Sequence, residues 1–278
     1  MSVSKVQPLI INTRPVRQAE ALTKLLQKND YEVVELPLIE IKDNVSDVNL
    51  HQLRTQIEKA DLLIFISANA VIFYFKHFSL VASSQEEKGN SILNNTSVAV
   101  IGKSTAEVFA QYAGRKADII PDSGSDSESL LVQPCLNQLI SQQGNKTNIL
   151  IVRGQGGREF LAKQLRLKNA IVDYLEVYRR ECPIYDESFL HNLWPCNGSN
   201  RWNSKAIGFM IITSGESLDN LLQLTKKIEP SLILETNLLV IHKKIQKKSI
   251  QYGFSGRILV SKNASNPSII QTLLQADG

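Results

Sequence analysis

Short apolar runs recur along the chain, separated by segments whose apolar residues stand three and four positions apart. The runs are Leu9–Ile11, Glu32–Ile41, Leu62–Ile66, Val98–Ile101, Ile149–Val152, Ile171–Val177, Phe209–Ile212, Leu238–Ile241 and Ile258–Val260. Runs of this kind predict buried strands. Spacings such as Ala21, Leu22, Leu25 and Leu26, or Leu161, Leu165 and Leu167, predict amphipathic helices between them. Strands alternating with helices imply parallel sheets covered on both faces, an α/β architecture.

The pattern repeats. "LIINTRPVRQAEALTKLLQKNDYEVVELPLIEI" and "ILIVRGQGGREFLAKQLRLKNAIVDYLEVYRR" each give a strand, an arginine at its end (Arg14, Arg153), a helix and a long second strand. "ADLLIFISANAVIFYF" and "AIGFMIITSGESLDNLL" each give a strand, a serine (Ser67, Ser214) and a helix. "SVAVIGKSTAEVFAQYAGRKADII" pairs with "NLLVIHKKIQKKSIQYGFSGRILV". Three units therefore occur twice in one order, about 140 residues apart, as expected of a duplicated design. The stretch 181–206, with Pro183, Pro195 and Gly198, breaks the pattern as a linker or long loop, in which Phe189, Leu190, Leu193 and Trp194 supply one helical turn of contact. The serine-rich "PDSGSDSESLL" predicts a loop entering a helix, with Asp126 or Ser127 as N-cap.

Length and composition narrow the class. The 278 residues suit about two domains, and a hydrophobic fraction of 43% with 21% charged residues describes an ordinary globular chain. A net charge of +4 does not mark a nucleic-acid binder, although it favours an anionic small molecule. Cys135, Cys182 and Cys196 form no CxxC pair, and the four histidines are scattered, so neither a disulfide framework nor a metal site is expected. The N-terminus lacks a signal-peptide pattern. The run at 62–75 is shorter than the ~20 residues a membrane span needs. A cytoplasmic protein without membrane contact is the expectation.

In open α/β sheets ligands bind beyond the carboxyl ends of strands, where helix N-termini present free N–H groups. Thr13-Arg14-Pro15, Ser67-Ala68-Asn69, Gly102-Lys103-Ser104-Thr105, the Arg153–Arg158 glycine loop and Thr213-Ser214-Gly215 stock such ends with hydroxyls, glycines and cations. Any one of them is a routine helix start; together they suit a ligand carrying several anionic groups. "RGQGGR" fails the dinucleotide fingerprint, because Glu159 stands where a third glycine is needed, and it fails the phosphate-loop pattern too. Arg158 is expected in the first turns of a helix. "KKIQKK" at 243–248 predicts a solvated helix face, with Lys243 kept as a candidate because it lies at a strand end. Tyr178 closes the second long strand beside Arg179 and Arg180, where its phenol offers a hydrogen bond or a weak acid. No Ser/His/Asp order or carboxylate pair suggests covalent catalysis.

These stretches, with "VAVIGKSTAEVFAQYAG" and "IITSGESLDNLL", resemble the uroporphyrinogen-III synthase family from about residue 9 to 275. The resemblance implies two three-layer α/β domains with parallel sheets, joined by a two-stranded β linker, with the active site in the inter-domain cleft. The domains would not be the two sequence copies: residues 1–38 with 178–278 would form one, and residues 42–174 the other. The long runs Glu32–Ile41 and Ile171–Arg180 would be the crossing strands.

The implied reaction cyclises hydroxymethylbilane, a linear tetrapyrrole with eight carboxylates, to uroporphyrinogen III. The last ring is inverted and water is lost, through an azafulvene and a spiro intermediate, without metal or organic cofactor. Tyr178 matches the candidate catalytic residue. Arg14, Ser67, Lys103, Ser104, Thr105, Arg153, Thr213, Ser214 and Lys243 match substrate-binding positions. His242 and Lys243 depart from the family's usual glycine and small turn, and His242 would be a bulky intruder. A monomer with a hinge is expected, with transient contact to hydroxymethylbilane synthase as the candidate partnership. Two other readings compete: a catalytically silent two-domain protein that binds a polyanion, and a nucleotide-sugar transferase, disfavoured because no diphosphate clamp is present.

Overall fold

The computed structural model describes residues 8–78, 93, 96–141, 146–194, 208–226 and 228–277. Part of the stretch expected to be a linker, residues 195–206, lies outside them. The chain divides into two compact units, residues 1–41 with 181–278, and residues 42–180.

The first unit has a five-stranded sheet in the order β10-β9-β8-β1-β2. Its strands are β1 (Leu9–Asn12), β2 (Glu32–Glu35), β8 (Phe209–Ile212), β9 (Leu238–Val240) and β10 (Ile258–Val260), and every neighbouring pair runs parallel. Period-two alternation divides the buried side chains between two helical layers. Leu9, Ile11, Met210, Ile212, Leu238 and Val240 pack with α8 (Glu187–Leu193), α9 (Gly215–Leu224), α10 (Pro230–Leu234) and α11 (Lys243–Gln251). Ile10, Phe209, Ile211 and Leu239 pack with α1 (Val16–Lys28) and α12 (Asn266–Asp277) on the other face. Leu190, Leu193 and Trp194 join the first of these cores, and the Trp194 indole N–H donates to Thr236 Oγ1 at 3.0 Å.

The second unit repeats the plan with a sheet ordered β3-β7-β6-β4-β5: β3 (Glu40–Asp43), β4 (Leu62–Phe65), β5 (Ser97–Val100), β6 (Asn148–Gly154) and β7 (Ile171–Glu181). On one face lie α5 (Ser127–Leu131), α6 (Pro134–Ser141) and α7 (Phe160–Leu167), through Leu130, Leu136, Ile140, Leu161 and Leu165. On the other lie α3 (Ala68–Phe78) and α4 (Lys103–Ala113), where Phe65 meets Tyr74 edge-on at 5.1 Å and Phe109 at 5.5 Å. A further helix, α2 (Asp47–Glu58), runs between β3 and β4.

The sequence duplication maps onto these sheets in an exchanged way. Matched strands are β1 with β6, β2 with β7, β8 with β4 and β9 with β5. The order β2-β1-β8-β9 in one sheet therefore equals β7-β6-β4-β5 in the other. Each sheet takes a strand–helix–strand unit from one copy and the following strands from the other. The chain passes between the units within β3 and at the end of β7, and these two strands are hydrogen-bonded neighbours.

Two local expectations need correction. Glu32–Ile41 is not one long strand but β2 and β3, interrupted at Pro37, which has no N–H to give to a ladder. The N–H groups of Leu36 and Leu38 donate instead to the carbonyls of Asn12 and Thr13, and both leucines are fully buried. Thr13 does not cap α1: its hydroxyl donates to the carbonyl of Ile211, and Pro15 occupies the N-cap position without a side-chain bond.

Asp43, in β3, is a junction in the second unit. Its carboxylate accepts from Lys76 Nζ at 2.7 Å, His77 Nε2 at 2.7 Å and the Val45 N–H at 3.0 Å. Burial pushes its pKa up, but these donors outweigh burial and leave the carboxyl below its usual range. A carboxyl depressed by folding contributes stability above its unfolded pKa of about 3.9 and loses it as pH falls through the lower folded value. Asp43→Asn is therefore expected to lower stability at neutral pH and to flatten the decline below about pH 4. Urea midpoints of the two proteins measured across that range check this; parallel curves would refute it.

Candidate active site

Tyr178 is held by a defect in strand pairing. Arg153 of β6 lies opposite Glu176, yet the next residue, Gly154, lies opposite Tyr178, so Val177 is an extra residue on β7. The Val177 carbonyl is not orphaned, since it accepts the N–H of Asn44 at 3.2 Å, and the Gln155 N–H donates to the Tyr178 carbonyl at 2.7 Å. The bulge turns the tyrosine ring across the backbone of Gly154. A Cβ at that position would lie 2.5–2.6 Å from ring atoms, so only glycine admits the ring there. Phe73 packs against the same ring at 5.7 Å. Tyr178 is 2% exposed, and its phenol oxygen lies 3.2 Å from Ser67 Oγ. Ser67 precedes α3 and accepts the Ala70 N–H at 3.1 Å, as an N-cap does.

Arg153 is also buried, at 2% exposure. Its guanidinium lies over the Tyr174 ring at 4.4 Å, donates from Nε to the Gly154 carbonyl at 3.1 Å and from Nη1 to Glu159 Oε1 at 3.4 Å, and sits 3.9 Å from Glu176. The glycine loop folds over it. The Gly156 N–H donates to Glu176 Oε1 at 3.1 Å, and Gly157, at φ +105°, passes so close that a Cβ would lie 2.8 Å from Arg153 Nη2. Tyr174 donates to Glu159 Oε2 at 2.5 Å. Burial, then this bond, raises the Tyr174 phenol pKa, while the same bond holds Glu159 below its usual range. Arg153 thus braces the loop, leaving Arg158 as an exposed guanidinium without a bonded partner among the described residues. Arg158 precedes α7 rather than lying in its first turns, a correction to the expected placement.

Beside these groups is a cavity of about 430 Å³ whose lining includes Tyr178, Arg153, Arg158, Arg180 and the 154–157 backbone. Ser125, Asp126 and Ser127 line it too. Asp126 caps α5, accepting from Ser129 N at 2.8 Å and Oγ at 2.6 Å, and these bonds hold its carboxyl below the usual range. The cavity thus combines guanidinium groups and a phenol, which suits a carboxylate-bearing ligand. Among the described residues no group of three or more His, Cys, Asp or Glu side chains is placed to hold a metal ion, and no helix is long and apolar enough to cross a membrane.

The other expected site residues fall into two sets. In the second unit Lys103 and Ser104 are exposed in the first turn of α4, whereas Thr105 is 3% exposed and faces inward, away from any solvent-side ligand. In the first unit Arg14, Thr213, Ser214 and Lys243 follow the ends of the neighbouring strands β1, β8 and β9. Arg14 is not an open lip residue: Nη1 donates to Asn266 Oδ1 at 2.5 Å and Nη2 to the Ala264 carbonyl, and burial lowers its pKa. Thr213 is half-buried, and Ser214 caps α9 by accepting the Ser217 N–H at 2.9 Å. Lys243 is exposed at the start of α11. His242 is that helix's exposed N-cap, its Nδ1 accepting from the Lys244 N–H at 3.0 Å, which gives the histidine a structural reason. Lys248 departs from the solvated face expected of it, pairing with Asp219 at 2.6 Å and donating to the Gly215 carbonyl at 3.0 Å.

Sequence reasoning missed Gly154 as a positioning glycine and Arg158 as the exposed cation. The only signal was indirect, since Tyr178 and Gly154 close matching ends of the second copy's two strands.

The fold defines a class of duplicated α/β proteins in which each five-stranded sheet draws on both copies. Solved structures of this class include uroporphyrinogen III synthase from Thermus thermophilus, in a mutant form, with a TM-score of 0.58 at 14% identity over 97% of this chain and 98% of that one. The synthetase from Helicobacter pylori gives 0.58 at 15% identity over 97% and 100%. The family described as uroporphyrinogen-III synthase HemD matches residues 20–271. Uroporphyrinogen-III synthase of Escherichia coli is 26% identical over 95% of this chain and 99% of its own length. That of Proteus mirabilis is 33% identical over 62% and 79%. The chain belongs to the uroporphyrinogen-III synthase family.

Proposed function

We propose that this protein cyclises hydroxymethylbilane to uroporphyrinogen III, as a carbon–oxygen lyase that inverts the last ring. The observation that carries the reading, beside family membership, is the pairing of the buried Tyr178 phenol with a cavity lined by Arg158 and Arg180. The cations hold acetate and propionate side chains, and the phenol stands ready to protonate the departing hydroxyl.

The balance is simple. The C–O bond of the hydroxymethyl group breaks, its electron pair leaves with oxygen, and the Tyr178 proton completes water. The azafulvene carbon is then attacked by the substituted α-carbon of the last ring to give the spiro intermediate. The bond from that carbon to its original methylene breaks, and the freed methylene is attacked by the ring's unsubstituted α-carbon, which releases the proton that restores the phenol. Positioning supplies the selectivity, since orientation is worth effective molarities of ~10⁵ M or more. Exclusion of water protects the cationic intermediate from recapture.

The test couples the purified protein to a hydroxymethylbilane-generating deaminase, oxidises the product and separates the porphyrin isomers. Isomer III from the wild-type chain supports the reading; isomer I alone, from folded protein, overturns it in favour of a silent polyanion binder. Tyr178→Phe is expected to slow isomer III formation by about 10²-fold, the lower end of general-acid contributions, with the thermal midpoint little changed.

A further inference from the structure

Ser67 makes one contact more than a simple cap requires. As the N-cap of α3 its oxygen accepts the Ala70 N–H at 3.1 Å, and the same oxygen lies 3.2 Å from the phenol oxygen of Tyr178, which comes from a strand 111 residues away. An oxygen that accepts a backbone N–H still has its own O–H to place. Placed on the phenol oxygen, that hydrogen leaves the phenol's proton directed at a ligand. The bonding chain Ala70 N–H to Ser67 Oγ–H to Tyr178 O then runs from the positive end of an eleven-residue helix to the atom that gains negative charge when the phenol gives up its proton.

We propose that Ser67 is a positioning residue that orients the Tyr178 phenol and stabilises the phenolate it becomes, rather than a group that grips substrate carboxylates. This rests on the reading of Tyr178 as the proton donor. Three features support it. The Tyr178 ring is fixed on its faces and edge by Phe73 and Gly154, so rotation of the ring cannot replace the serine. Ser67 is itself half-buried and held by its cap bond, which fixes where its hydroxyl can point. Ser67 is also absent from the lining of the cavity, whereas Tyr178 is part of it, so the serine acts through the tyrosine.

The experiment compares wild type, Ser67→Gly, Ser67→Thr, Tyr178→Phe and the Ser67→Gly/Tyr178→Phe double variant in the isomer-resolved coupled assay. Glycine is tolerated at N-caps far better than alanine, so Ser67→Gly removes the hydroxyl while sparing the helix start; circular dichroism and thermal midpoints check its fold. The expected result is a roughly tenfold or greater fall in kcat for Ser67→Gly with KM within about twofold, restored by Ser67→Thr, and no further fall when Ser67→Gly is added to Tyr178→Phe. A rise in KM with kcat unchanged would assign Ser67 to substrate binding and overturn the proposal. So would a fall in the double variant equal to the product of the single effects. If Tyr178→Phe keeps wild-type activity, the reading of Tyr178 itself fails, an outcome distinct from the failure of Ser67 alone.

Discussion

Gly154→Ala is expected to eliminate most isomer III formation and to destabilise the second unit by about 1–3 kcal/mol, the range for forcing atoms into a well-packed interior. The added methyl would lie 2.5–2.6 Å from two ring carbons of Tyr178 and 3.0 Å from its hydroxyl. Relief by moving the ring is blocked by Phe73, and relief by moving the strand breaks the bond from the Gln155 N–H to the Tyr178 carbonyl. Either way the phenol leaves its place beside Ser67, so activity falls further than stability. Thermal unfolding with the isomer assay reads both quantities. Unchanged activity in a folded Gly154→Ala protein would mean that the observed ring position is not the working one.

Arg153→Ala should rank second, with a stability loss of about 2–3 kcal/mol and collapse of binding at the cavity. The guanidinium is 2% exposed and combines a stacking contact on Tyr174 with hydrogen bonds and ion pairs. Bonds to charged groups are worth about 1.5–3 kcal/mol, and a desolvated cation over an aromatic ring about 2, in a sum that is not additive. The loss stays below that of a wholly buried pair because Glu159 is exposed and remains solvated once abandoned. Its functional effect comes through the loop: Gly157 lies against Arg153 Nη2, and without that support the 154–158 backbone loses the shape that places Arg158 at the cavity. Lysine would not rescue it, since a point charge replaces neither the planar stack nor the fork of donors. Hydrogen exchange at 154–158 should rise in Arg153→Ala, and Arg158→Ala should weaken binding without that rise. Unaltered exchange in Arg153→Ala would refute the bracing role.

Much of the fold was legible because its causes are local. Phe209–Ile212 and Ile258–Val260 are strands as their apolar runs imply, Asp126 caps α5, and the repeated order of units reappears as the repeated order of strands. A run of apolar side chains must be buried wherever it lies, and a short polar side chain before a helix caps it without reference to the rest of the chain. Glu32–Ile41 reads wrongly as one strand, because the apolar residues on both sides of Pro37 mask the break it makes.

The site was legible in its residue types and not in its assignments. The sequence by itself determined that arginines, serines and a tyrosine stand where strands end, and that the chain carries the design twice. Tertiary structure alone decided that Arg14 is bound to Asn266 and Ala264 some 250 residues on, while its counterpart Arg153 lies under a glycine loop beside a cavity. It also decided that Thr105 turns inward and that Ser67 meets Tyr178. The reason is physical: hydrophobicity and capping act within a few residues, whereas a polar side chain takes whichever partner the completed sheets bring within about 3 Å.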